Sequence, residues 1–79
     1  MNYRVLYFAS LRDRAGCDEE RVNSDAKDAQ SLYAELQHAH GFALTQARLR
    51  VAINGDFASW DRALNDGDEI VFLPPVSGG

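Results

Sequence analysis

Only one stretch of this chain carries the period of a helix. From Asp28 onward, Ala29, Leu32, Tyr33, Leu36 and Ala39 recur at i, i+3, i+4, i+7 and i+10, which sets them along a single face. Asp28 stands where an N-cap carboxylate accepts from the unpaired amides of a first turn, and Gly41 where a left-handed residue closes a last one. One apolar stripe on one helix must be buried against something, and the rest of the chain offers strands.

The first of these, YRVLYFA (Tyr3 to Ala9), is β-branched and aromatic and contains no breaker. With Arg4 facing water, period-two alternation puts Leu6 and Phe8 on the same outer face and turns Val5, Tyr7 and Ala9 into the core. An exposed Leu/Phe pair then needs a cover. SLRDRAG (Ser10 to Gly16) reads as a polar turn ending in glycine, and Glu19 to Asn23 as a second, antiparallel strand around Val22. LRVAIN (Leu49 to Asn54) alternates with Leu49, Val51 and Ile53 on one face, and Asn54-Gly55-Asp56 signals a hairpin before Phe57. Trp60 and Leu64 fall under a loop, and Asp66-Gly67-Asp68 is turn chemistry leading into a final strand, EIVFL (Glu69 to Leu73). The order strand, strand, helix, strand, short strand, strand predicts an α+β fold: a mixed sheet of four to five strands with one main helix packed on one face. The other face is left to be solvated or covered.

A chain of 79 residues has room for one domain. We expect the folded unit over residues 1–75 and a flexible tail over 76–79. Cys17 is the only cysteine, which excludes an internal disulfide and a cysteine-cluster metal site and suits a reducing cytosol; it reads as a small loop or strand-edge residue. A net charge of -4 argues against nucleic acid, whose phosphates call for Lys and Arg, and favours a basic partner. No apolar run approaches the roughly 18 residues of a membrane span, so the expected location is cytoplasmic, with no membrane partner.

The interior of the chain offers no convergent chemistry. His38 and His40 are two apart at the helix end, so they point in different directions and do not share a metal as an i, i+4 pair would. Asp66 to Glu69 (DGDE) lacks the ligand spacing of a calcium loop and sits where a turn is required. Ser31 and Ser77 have no histidine placed by a motif to activate them. No metal site is expected. What remains is the end of the chain, FLPPVSGG. Pro74 and Pro75 lack amide donors, end the strand and aim the chain away from the sheet. The four residues beyond them reach about 14 Å when extended. Gly78 and Gly79, lacking Cβ atoms, fit a channel too narrow for other residues and leave the last carbonyl open to attack. Its carboxylate, with a pKa near 3.3 to 3.7, is ionised and a poor electrophile until activated. A frayed terminus is the other reading of the same residues.

VLYFASLRDRAG near the start, AINGD in the middle and LNDGDEIVFLPPVSGG at the end together resemble the small subunits of molybdopterin synthase, the MoaD family of ubiquitin-like, ThiS-like sulfur carriers, over essentially the full chain. The resemblance implies a β-grasp fold with the first and last strands as a parallel pair. It implies that an ATP-dependent, E1-like activating enzyme adenylates Gly79 and that a sulfur donor protein then replaces AMP to leave a thiocarboxylate. Gly78 belongs to the inserted tail. The sulfur passes to cyclic pyranopterin monophosphate inside the large subunit, which supplies the catalytic groups, in a heterotetramer of two small and two large subunits. No bound cofactor is implied beyond the covalent thiocarboxylate. By motif position Phe8 and Leu73 match the family's apolar contact surface; Leu6, Pro74, Pro75, Val76 and Ser77 complete the partner-binding set. The alternatives are a carrier of the same fold serving thiamine, tRNA thiolation or cysteine synthesis, and a ubiquitin-like binding module whose tail does no chemistry.

Overall fold

The computed structural model describes residues 1–75. In chain order it contains β1 (Asn2–Tyr7), α1 (Ala9–Ala15), β2 (Glu19–Asn23), α2 (Ala29–His40), a 3-10 turn (Gln46–Arg48), β3 (Arg50–Ile53), β4 (Asp56–Ala58) and β5 (Glu69–Leu73). The strands form one sheet in the order β2-β1-β5-β3-β4. β1 and β5, the first and last strands, pair in parallel (Val5↔Ile70, Tyr7↔Phe72), while the β1/β2, β3/β5 and β3/β4 pairs are antiparallel. This is the mixed sheet expected of a β-grasp.

Alternation sorts the side chains as the sequence predicts. Tyr3, Val5 and Tyr7 of β1, Val51 and Ile53 of β3, and Ile70 and Phe72 of β5 are buried on one sheet face, together with Leu32, Tyr33 and Leu36 of α2. The aromatic residues give this small core its volume: Tyr33 lies against Phe72 at a centroid distance of 5.1 Å, and Trp60 stacks on Phe72 at 5.9 Å. Trp60 is thus the satellite core residue its position suggests.

α2 begins and ends where its capping residues put it. The Ser31 amide donates to the Asp28 carboxylate at 2.7 Å, and Gly41, at φ 72°, donates its amide to the Gln37 carbonyl. The buried stripe stops at Leu36, and Ala39 is exposed. The hairpin at Asn54-Gly55 has φ 52° and 89°, the two positive values a type I′ turn demands.

One segment departs from expectation. Ser10 to Gly16 is not a turn: Ala9–Ala15 form the seven-residue helix α1. The Leu11 and Arg12 amides donate to the Phe8 carbonyl, and Gly16 closes the helix at φ 79°. β1 accordingly ends at Tyr7, and Ala9, expected in the core, is exposed at φ 51°. Leu11, 2% exposed, fills the core in its place.

Candidate docking face and carrier terminus

The sheet has two faces and α2 covers one. On the other, cross-strand register lines up Leu6, Val71, Ala52 and Phe57 across β1, β5, β3 and β4. Leu6, Val71 and Ala52 are half-buried, whereas Phe57 is 67% exposed. One step toward the end of β5, Leu73 pairs with Arg50 of β3. Phe8, extended at φ -129° and ψ 155° and 45% exposed, continues β1 one residue past the Tyr7↔Phe72 pair, which sets it beside Leu73. The structure therefore brings Leu6, Phe8 and Leu73 together on one apolar face. The half-buried Pro74 and exposed Pro75 continue from it. Val76, Ser77, Gly78 and Gly79 lie outside the described residues.

Phe57 belongs to this face although the sequence reading passed over it. The signal was present: a two-residue turn at Asn54-Gly55, with Val51 and Ile53 pointing inward, pairs Phe57 with Ala52 on the outer side.

Because β5 is the central strand, the chain leaves the sheet from its middle, and the ends of β1 and β5 and the start of β3 meet there. A hollow of about 390 Å³ opens at this margin between Phe57, Leu73, the two prolines and the backbone entering β3. Arg48 and Arg50 line it, and the Arg50 guanidinium lies 5.7 Å from the centroid of Phe57, within cation–π range. At the far end of the same face, Arg4 is bracketed by two carboxylates, Glu19 and Glu69 (3.1 Å). The hydrogen bond to Arg4 holds the Glu19 carboxyl below its ordinary pKa, and Glu19 in return raises that of Arg4.

The histidines take separate surroundings, as their spacing requires. His38 is exposed. His40 is half-buried, packs edge-on to Tyr7 at 5.7 Å and reaches Glu20 Oε2 at 2.7 Å. The Tyr7 hydroxyl donates to the same Glu20 oxygen. Burial, and then the neighbouring Glu20 carboxylate, push the Tyr7 phenol well above its ordinary value. Asp66 and Asp68 act as turn ligands: Asp66 accepts from the Asn2 amide at 2.6 Å, and Asp68 from Asn54 Nδ2 at 2.9 Å and the Asn65 amide at 2.8 Å. Among the described residues no three His, Cys, Asp or Glu side chains are grouped to hold a metal ion. The geometry presents an apolar sheet face with Pro74 and Pro75 at its margin.

Several known proteins are similar to this chain over nearly its full length. A molybdopterin synthase sulfur carrier subunit of Escherichia coli (strain K12) is 37% identical over 79 residues, covering 96% of this chain and 98% of its own. Its counterpart in Haemophilus influenzae is 36% identical over 78 residues, covering 95% and 96%. Among solved structures, SAMP1 from Haloferax volcanii superposes with a TM-score of 0.82 at 29% identity, over 100% of both chains. A chain from the complex of subunits 1 and 2 of molybdopterin-converting factor from Helicobacter pylori 26695 does so with a TM-score of 0.70 at 29% identity, again over 100% of both. The model of the ThiS family matches residues 5–79, which, with the β-grasp sheet and these full-length likenesses, makes this chain a member of the ThiS family.

Proposed function

We propose that this chain is the sulfur carrier of a molybdopterin synthase and serves molybdenum cofactor biosynthesis. The observation that carries the reading is the end-to-end likeness to proteins named for that role, at 37% identity over 96% of the chain. The Helicobacter pylori neighbour is a complex of two subunits, which supports a large-subunit partner for this chain.

The chemistry belongs to the last residue. The terminal carboxylate of Gly79 is inert as an ion. Attack by its oxygen on the α-phosphate of ATP, in an E1-like enzyme, expels pyrophosphate and forms an acyl-adenylate. The terminal sulfur of a donor protein's persulfide displaces AMP to form an acyl disulfide. A second thiol then attacks the donor's sulfur, breaking the S–S bond so that the thiol and donor become a disulfide and a thiocarboxylate is left on Gly79. That sulfur is a softer and stronger nucleophile than the oxygen it replaces. Gly78 and Gly79 thread the acceptor channel, and Leu6, Phe8, Leu73, Pro74 and Pro75, with Val76 and Ser77 beyond them, hold the carrier to its partners. The acid, base and substrate-binding groups belong to the large subunit, and two carriers serve a large-subunit dimer.

Co-expression with a candidate activating enzyme and sulfur donor tests this by intact mass. Exchange of one oxygen for sulfur adds about 16 mass units, by the difference in their atomic masses, to a carboxyl that otherwise stays inert. Thiocarboxylated protein, large subunit and cyclic pyranopterin monophosphate should then yield dithiolene product. An unmodified mass under these conditions would overturn the reading. The likeness to a protein called small archaeal modifier protein 1 favours a second reading, attachment of the chain to other proteins, which the same experiment reports as adducts of protein mass.

A further inference from the structure

The apolar face ends in a basic margin that the carrier role does not by itself explain. The chain carries 12 acidic and 8 basic side chains, yet among the described residues the hollow beside Pro74 and Pro75 is lined by Arg48 and Arg50 and by no carboxylate. Among the described residues the ion pairs are Arg4–Glu19, Arg4–Glu69 and His40–Glu20, so neither of these two arginines has a carboxylate partner. The contrast with Arg4 is internal to one sheet face: at one end a guanidinium is neutralised twice, and at the end where the chain departs two guanidiniums are presented to solvent. Arg50 is also propped over the ring of Phe57, which limits its rotamers and leaves less freedom to lose on binding.

We infer that this hollow seats an acidic-apolar segment of the large subunit, one apolar side chain entering between Phe57 and Leu73 while flanking carboxylates meet Arg48 and Arg50. The inference rests on the proposed function and names the chemistry of its partner at this margin. Charge complementarity selects this occupant, since the hollow brings two guanidiniums to an apolar cleft and, among the described residues, no carboxylate lines it. The hollow is continuous with Leu73 and the prolines, so a partner lying on the apolar face meets it at the point where the tail departs. Two desolvated guanidinium–carboxylate contacts there would fix register, and so the depth to which the tail is inserted.

The test is titration of the large subunit with wild-type protein, with R48A/R50A, and with K27A/R62A, which removes the same two charges outside the sheet. The wild type and K27A/R62A should bind alike, and more weakly as salt rises. R48A/R50A should bind at least tenfold more weakly at low salt, with a flattened salt dependence and an unchanged thermal transition. Equal affinity for all three overturns this inference and leaves the carrier role standing, whereas failure of the wild type to bind overturns both. In the free protein, NMR shifts at Val76 to Gly79 caused by R48A/R50A would assign the hollow to the chain's own end and overturn the partner assignment.

Discussion

At the scale of single residues, exposed and buried phenylalanines do different work. Phe8 and Phe57 are 45% and 67% exposed, so arginine at either position removes little core contact. As large exposed aromatics on a docking face they are candidate hot spots, where truncation costs about 2 kcal/mol or more, roughly thirtyfold in affinity. Phe8→Arg and Phe57→Arg should therefore abolish co-purification with the large subunit while leaving the thermal transition nearly unchanged. Undiminished complex from a folded variant would remove the residue from the face. Phe72 is the opposite case, 0% exposed and in contact with Tyr33 and Trp60. Phe72→Ala should cost about 3 to 5 kcal/mol, read from the midpoint of urea unfolding. Phe57 was legible in advance, because the turn length fixes which side of the hairpin it takes; Arg48 was not, since a residue just before a strand has no facing until the turn preceding it is known.

At the scale of elements, legibility followed signal length. α2 announces itself through three turns of period and two caps, and every one of its buried positions up to Leu36 is as spaced. α1 has seven residues, one buried side chain and an N-cap, Phe8, that makes no side-chain bond, so propensity alone could not distinguish it from a turn. Titration should expose what holds the elements together. The carboxyls of Asp28, by its hydrogen bonds to Ser31, and Glu19, by its bond to Arg4, lie below their ordinary values of 3.8 and 4.5. Groups depressed on folding stabilise above the unfolded value and lose that contribution as pH falls through the folded one, so the thermal transition should drop below about pH 4. Tyr3, Tyr7 and Tyr33 are raised above 10.0, chiefly by burial. Their contribution is complete below that value and is lost as pH rises past it, because the unfolded chain then ionises first. Stability should therefore also fall above about pH 10, and Tyr7→Phe, which cannot ionise, should make that alkaline fall shallower. An alkaline limb identical to wild type would mean that Tyr7 gains no protection on folding.

At the scale of the whole molecule, stability and chemistry lie on different residues. Among the described residues the last core side chain is Phe72, and the last residue of the sheet is Leu73. The proposed chemistry is on Gly79, with Gly78 in the inserted tail, and the docking face lies on the opposite side of the sheet from α2. A search for a catalytic constellation finds none among the described residues because a carrier needs only a surface that is recognised and an end that can be activated. This separation makes a competition experiment decisive. A chain lacking Gly78 and Gly79 should keep its thermal transition, since the core described for residues 1–75 is left whole, and should show no gain of mass with the activating enzyme. It should still present Leu6, Phe8, Phe57 and Leu73. Added in excess to a reconstituted synthase, it should therefore inhibit turnover by wild-type thiocarboxylated carrier, competitively and with a half-maximal concentration near the dissociation constant of the face. If the shortened chain does not compete, affinity resides in the inserted tail rather than in the apolar surface, and the face would serve only to orient what the tail binds.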